Sequence, residues 1–205
     1  MPILKADFSE DGHVYRHPET KLVVASVTQI LSGCGLVSYN GIRQSVLDHK
    51  AILGIEAHLA CSFIAQGLEV DCDERVIPYV DGYRKFSETK QWEPLIVQPD
   101  PQIGQLNGSL VGFQPDEVGH LTGVETLLEL KCTSDIYSSY GIQLAFYDML
   151  LGGSPRQRRV LQLFPDGKFK LHVYDDRKDY EMVQCLLALH NWKLLHGVTN
   201  GNGNH

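Results

Sequence analysis

A chain of 205 residues with 43% hydrophobic and 21% charged residues is long enough for one domain with a sizeable core, and its composition is that of an ordinary globular protein. Eighteen Lys and Arg against 25 Asp and Glu leave a formal charge of −7, which excludes a protein that holds nucleic acid by bulk electrostatics alone, because phosphate contacts need local positive charge. No apolar run is long enough to cross a bilayer, no basic-then-hydrophobic leader opens the chain, and five dispersed cysteines without a CxxC pair read as reduced thiols, so the expected location is the cytoplasm.

Taken in order, residues 7–25 read as a hairpin turning at Asp11-Gly12, with Pro18 limiting the start of its second run. Ser26 reads as the N-cap of a helix that carries Val27, Ile30 and Leu31 and is ended by Gly33, Cys34 and Gly35. A longer helix is expected from about Ile42 to Gln66, with Gly67 as its stop. On it Ala51, Gly54, His58, Cys61 and Ala65 fall three and four apart and share a face, all small except the histidine. Such a stripe either packs tightly on a sheet around a satisfied core histidine or lets a ligand reach His58. Residues 74–92 read as another helix with Val76, Tyr79, Val80, Tyr83 and Phe86 as its apolar stripe and Pro78 in its first turn, and Trp92 to Val97 as an extended segment.

The central stretch pairs one extended segment, Gly112-Phe-Gln-Pro-Asp116-Glu-Val-Gly119, with another, Leu127-Leu-Glu129-Leu-Lys131-Cys-Thr-Ser134, across the connection His120 to Gly123. Alternation puts Glu129 and Lys131 on one face while Leu128 and Leu130 point into the core. Antiparallel pairing brings Asp116 within a few ångströms of Glu129, and two such carboxylates invite a divalent cation, hard oxygen ligands favouring magnesium or manganese. Residues 138–151 then read as a helix ended by Gly152-Gly153, with Gln143, Tyr147 and Tyr140 on one face and Ile142, Phe146 and Met149 toward the core. Arg156, Arg158 and Arg159 form a compact basic cluster, either a phosphate-binding patch or a solvated loop. A hairpin follows, Arg159 to Phe164 and Lys168 to Tyr174 around Pro165-Asp166-Gly167, and a last helix from about Arg177 to His196 buries Val183, Leu186, Leu187 and Leu194. His172, His190 and His196 have no partner at ligand spacing and read as structural or surface residues, and the tail 200–205 is too polar and glycine-rich to pack, leaving one domain over 1–199.

The order Pro115-Asp116 and then Glu129-Leu130-Lys131 resembles the signature of the PD-(D/E)xK nuclease superfamily. Gly54-Ile-Glu-Ala-His58 is similar to the GxxxH helix of its RecB-type, lambda-exonuclease-like branch, Gln143-Leu-Ala-Phe-Tyr147 to that branch's QxxxY helix, and Ser26-Val-Thr-Gln-Ile-Leu31 to the segment that opens its first helix. The resemblance implies a restriction-endonuclease-like core of α/β (α+β) class, a mixed central sheet flanked by helices, which agrees with the order of the elements. It implies that His58, Asp116, Glu129 and the Leu130 carbonyl hold one or two magnesium or manganese ions. Lys131 would act on the attacking water, as a base if its pKa is lowered and as an electrostatic clamp if it stays charged. Gln143 and Tyr147 would orient the water, the lysine or a phosphate oxygen, and Ser26 and the three arginines would face the nucleic acid.

The activity so implied is metal-dependent hydrolysis of DNA, by an exonuclease on ends or single strands, with recombination or repair in a phage or bacterium as the analogous setting and a recombination protein as a candidate partner. Branch members that hold an iron-sulfur cluster use one early and three late cysteines. Only Cys185 follows Cys132 here, so no cluster is expected. The chain departs from the branch at Val97-Gln98-Pro99, where relatives carry a glutamate, and at Phe113, where they carry a glycine that here stands one residue earlier as Gly112. Those departures favour an alternative, a catalytically idle nucleic-acid-binding or assembly module, and a sequence-specific endonuclease on the same core is a third reading.

Overall fold

The structure is a computed structural model that describes residues 3–37, 44–153 and 155–198. The expected tail at 200–205 and the start of the long helix at Ile42 lie outside the described residues. The chain begins with β1 (Leu4–Lys5), followed by β2 (Asp7–Ser9), β3 (Val14–Arg16) and β4 (Val23–Val24), which form a small antiparallel sheet. Pro18 falls between β3 and β4, so the single second run expected there is two strands. The helix α1 (Val27–Gly33) is closed at its start by a capping box: the Ser26 hydroxyl accepts from the Gln29 N–H at 3.2 Å while the Gln29 side chain accepts from the Ser26 N–H at 2.9 Å.

Two long helices follow, α2 (Gln44–Ala65) and α3 (Ile77–Lys90), then β5 (Trp92–Val97). The next hairpin, β6 (Gln102–Leu106) and β7 (Ser109–Phe113), turns at Asn107-Gly108 with φ of 48° and 84°, the conformation that this dipeptide favours. The hairpin at β8 (Glu117–Leu121) and β9 (Val124–Lys131) turns tightly at Thr122-Gly123, both with positive φ. His120 and Leu121 therefore belong to the strand rather than to a four-residue connection.

Gly112 to Gly119 is not one extended segment either. It ends β7 in one sheet and begins β8 in another, and the break falls at Gln114-Pro115-Asp116, where proline offers no N–H to a ladder and restricts the residue before it. The remaining elements are α4 (Ser139–Leu151), β10 (Gln157–Leu163), β11 (Phe169–Val173) and α5 (Lys178–Leu195).

The central five-stranded sheet runs β11-β10-β9-β8-β5; β9 and β10 are parallel, joined through α4, and the other pairs are antiparallel. One face packs on α1, α4 and α5 through Val118, Leu127, Val160, Leu144 and Leu187. The other packs on α2 and α3 through Leu128, Leu130, Leu161, Ala57 and Tyr83. Leu127 and Leu128 thus enter opposite cores, each burial contributing about 2 kcal/mol relative to exposure. The chain is an α+β protein with a mixed central sheet flanked by helices, as its element order predicts. Because β9 is covered on both faces from Thr126 to Leu130, Thr126 and Glu129 are held inside. Leu194, expected in the core, is 68% exposed at the end of α5. Among the described residues no helix is long and apolar enough to cross a membrane.

Candidate active site

Strand register places the first pair of carboxylates. Glu117 lies opposite Leu128, so the next step outward sets Asp116 opposite Glu129 just before β8 begins. The Leu130 N–H, left without a strand partner on that side, donates to Asp116 Oδ2 at 2.8 Å. In a strand the N–H and C=O of one residue point the same way, so the Leu130 carbonyl faces the Asp116 side as well. From α2, His58 Nδ1 stands 3.3 Å from Asp116 Oδ1. The GxxxH histidine therefore meets the aspartate, and an added Cβ at Gly54 would touch nothing, which leaves open space one turn away.

Glu129 points to the other face, toward α4. Its Oε1 accepts from Lys131 Nζ at 2.7 Å and from Gln143 Nε2 at 2.8 Å, while its Oε2 is buried and has no hydrogen-bond partner. Gln143 Nε2 also donates to the Tyr147 hydroxyl at 3.0 Å, and Lys131 Nζ lies 4.9 Å from the centre of the Tyr140 ring. Gln143 of α4, held by Tyr147, and Lys131 of β9 thus fix the carboxylate rotamer that β9 presents. The expected site residues form two contact groups that meet only through the backbone of β9, His58 with Asp116 in one and Glu129, Lys131, Gln143 and Tyr147 in the other.

Burial disfavours every charge in this cluster, and the partners decide which survive. Burial alone would lower the His58 pKa, but the facing Asp116 carboxylate holds it at about 10, and His58 together with Lys131 keeps Asp116 below its ordinary value despite burial. The pair is ionic at neutral pH. Burial and the Asp116 charge push the Glu129 carboxyl up to about 7 against the pull of Lys131. Lys131 stays above its ordinary value, its burial outweighed by the Glu129 and Asp116 carboxylates, so in this arrangement it is an ammonium suited to a clamp rather than to a base.

The donor types, two carboxylates, a backbone carbonyl and an imidazole, are those a hard divalent cation takes, but they stand in two recesses, His58 and Asp116 in one and Glu129 in the other, where its Oε2 is buried without a hydrogen-bond partner. Among the described residues no three His, Cys, Asp or Glu side chains stand ready as a metal cluster. His58 occupies one carboxylate and Lys131 the other, so loading the site requires those partners to yield.

Glu117 sits behind this cluster. Trp92 Nε1 at 2.6 Å and the Tyr83 hydroxyl at 2.8 Å both donate to its Oε2, and burial still pushes its carboxyl from 4.5 up to about 7. A carboxyl raised in the folded state costs nothing below its unfolded pKa and its full penalty above the folded one, so this group removes stability as pH rises from about 4.5 to about 7. Glu117→Gln is therefore expected to stabilise the metal-free protein more at pH 8 than at pH 5, by a difference on the order of 2–3 kcal/mol. Urea unfolding at the two pH values measures it; an equal effect at both would show that Glu117 is not raised.

The arginine cluster is a correction. Arg158 and Arg159 lie on β10, not in a loop, and point to opposite faces. The buried Arg158 donates to Gly141 O, Asp179 Oδ2 and Asp176 O at 2.7–2.9 Å and stacks over Tyr180; Arg159 pairs with Asp175, and Arg156 with Glu125 and Asp148. All three guanidinium groups are committed within the chain rather than to a phosphate patch. Ser26 is the N-cap and also lines a cavity beside Glu129 and Lys131.

That cavity contains residues the sequence did not single out, His13, Tyr15, Thr28 and Gln114. The signal for them is in the fold: a parallel bridge from Ser26 to Gly112 docks the N-terminal sheet on β7. Gly112 permits it, since a Cβ there would lie 2.5 Å from Cγ of Tyr15. Gln98 lines the recess beside His58 and donates its N–H to the Asp116 carbonyl at 2.7 Å.

No family profile matches the chain, and no curated protein matches it. Among solved structures it is similar to a candidate exonuclease from Eubacterium rectale, with a TM-score of 0.48 and 11% identity over 72% of this chain and 69% of that one. A second likeness is to the protein SSO0001, with a TM-score of 0.38 and 13% identity over 69% and 61% of the two chains. At these scores the likeness is one of general outline, and the chemistry rests on the side chains.

Proposed function

We propose that the chain is a divalent-metal-dependent deoxyribonuclease of the PD-(D/E)xK type, arranged as in the RecB-like, lambda-exonuclease-like branch, acting on DNA ends or single strands. One observation carries the reading: Glu129 is buried beside Lys131 with Oε2 unpartnered, next to an Asp116 already engaged by His58. A structural ion pair would satisfy both oxygens, so a buried orphan acceptor at this place supports a cation site. His58, Asp116, Glu129 and the Leu130 carbonyl would hold magnesium or manganese. When bound, the ion supplies an acidified water and polarises the phosphoryl oxygen. The Lys131 ammonium would stabilise charge that develops on the phosphate, while Gln143 and Tyr147 keep Glu129 in place. A role in DNA recombination or repair, with a partner protein, goes with this reading.

The test is incubation with end-labelled linear single- and double-stranded DNA and with closed circular DNA, in magnesium, manganese or chelator. Metal-dependent loss of linear substrate with the circle intact is the expected result, and the position of the label gives the polarity. Cutting of the circle would make it an endonuclease. A second reading, the idle binding module, is favoured by the Lys131–Glu129 pair, which neutralises the site without metal; DNA binding with no turnover in either metal would establish it.

A further inference from the structure

Lys131 keeps its ammonium between two unlike partners. Nζ donates to Glu129 Oε1 at 2.7 Å, and the same nitrogen lies over the Tyr140 ring, 4.9 Å from its centre, inside the reach of about 6 Å for a cation–π contact. Tyr140 stands one helical turn before Gln143, which donates to that same Glu129 oxygen. Helix α4 therefore presents a donor to the carboxylate and an aromatic face to the ammonium. The ring is fixed from behind. It meets Tyr137 edge to face at 5.8 Å, the Tyr137 carbonyl accepts from the Tyr174 hydroxyl at 2.9 Å, and Tyr140 and Tyr174 both pack on the core beneath α4 and α5.

One carboxylate cannot serve an ammonium and a divalent cation equally. The two positive charges repel, and a carboxylate drawn to the metal leaves a largely buried ammonium short of a counter-charge. An aromatic face meets that need differently. Its quadrupole attracts the ammonium, while a hard metal ion prefers carboxylate and carbonyl oxygens, so the ring does not compete for the metal.

We propose that Tyr140 is a positioning residue for Lys131: its ring holds the ammonium when a divalent cation takes the Glu129 carboxylate, so that the metal enters without expelling the lysine from the site. The flexible four-carbon stem of the lysine lets Nζ turn from the carboxylate toward the ring. The inference rests on the metal-dependent nuclease reading and deepens it, because it assigns the exchange of partners that loading requires.

The experiment measures manganese affinity directly, by electron paramagnetic resonance of the free ion titrated with protein. It compares the wild type, Tyr140→Leu, Tyr140→Phe, Lys131→Met, and the double variant that carries Lys131→Met with Tyr140→Leu. Leucine removes the aromatic face and keeps apolar bulk; circular dichroism checks that it folds, and if it does not, Tyr140→Met takes its place in both backgrounds. Loss of the ring should weaken manganese binding about three- to thirtyfold, and Tyr140→Phe, which keeps the ring, should bind as the wild type does. With Lys131→Met there is no ammonium to hold, so the further loss of the ring should change nothing. A tyrosine that only packs α4 would weaken binding by the same factor with or without the ammonium, and a hydroxyl contact would make Tyr140→Phe as weak as Tyr140→Leu. Either result, wild-type affinity in the ring-free variant, or no manganese binding by the wild type would overturn the proposal. Cleavage of a labelled single-stranded oligonucleotide in manganese separates the two readings. Cleavage by the wild type with affinity unchanged in the ring-free variant removes the role of Tyr140 and keeps the nuclease; ring-dependent manganese binding without any wild-type cleavage keeps the role of Tyr140 and removes the nuclease.

Discussion

Replacing Glu129 by glutamine is expected to lower magnesium-dependent cleavage of a labelled oligonucleotide by about a thousandfold or more in single-turnover assays, with the fold retained. The substitution is nearly isosteric, so it opens no cavity between β9 and α4. Its carbonyl oxygen can still accept from Lys131 and Gln143, the two donors that Glu129 Oε1 accepts now. What changes is the second position: the orphaned oxygen becomes an NH₂ group, a donor with no affinity for a cation. The loss is thus one of charge: the hydrogen bonds of Oε1 remain, but Lys131 loses its carboxylate counter-charge and the second position offers no oxygen to a cation. Magnesium should raise the thermal midpoint of the wild type and leave that of the variant unchanged, because only a species that binds the folded state stabilises it. Full activity in Glu129→Gln would remove the nuclease assignment, whatever the metal dependence of the wild type.

The placement of this carboxylate was legible before any coordinates because strand periodicity is exact. Alternation put Glu129 and Lys131 on one face of β9, and antiparallel pairing set Asp116 opposite, although the turn is two residues rather than the four expected. The helical spacings were as informative: Gln143 and Tyr147 stand four apart, and the structure joins them by a hydrogen bond from the same Gln143 amide that donates to Glu129. Other features escaped because their cause is tertiary. Asn107-Gly108 was a readable turn signal that the reading passed over, and with it went β6 and β7 and the strand break at Pro115. His13 and Tyr15 could not be placed, since nothing local says that the first hairpin docks on Gly112. The partners of the arginines were not legible for a different reason. Three closely spaced basic residues look like a patch in a linear sequence, but on a strand neighbouring side chains point to opposite faces, and acidic partners at Asp175 and Asp179 are supplied by the approach to α5.

Removing the Arg158 side chain, Arg158→Ala, is expected to destabilise the protein by about 3 kcal/mol or more, which for a chain of this size lowers the thermal midpoint by roughly 6–12 °C. The guanidinium is 2% exposed and is the shared donor for Gly141 O on α4, Asp176 O before α5 and Asp179 Oδ2 in its first turn. Alanine takes the guanidinium from three acceptors; Asp176 O keeps the Asp179 N–H, but Asp179 Oδ2 belongs to a partly buried carboxylate whose pKa burial already raises against the pull of Arg158. It also removes the stack on Tyr180, whose hydroxyl ties α5 to Asp148 of α4. Because Gly141 lies two residues before Gln143, a loosened α4 should blur the contact that holds Glu129, and cleavage should fall modestly with stability. DNA binding discriminates the roles. A phosphate contact at Arg158 would release counterions, so its loss would flatten the dependence of log affinity on log salt by about one unit. A guanidinium that clamps two helices leaves that slope unchanged, and an unchanged slope alongside a lowered midpoint is the expected result; a slope reduced by one with the midpoint intact would return Arg158 to the nucleic-acid interface.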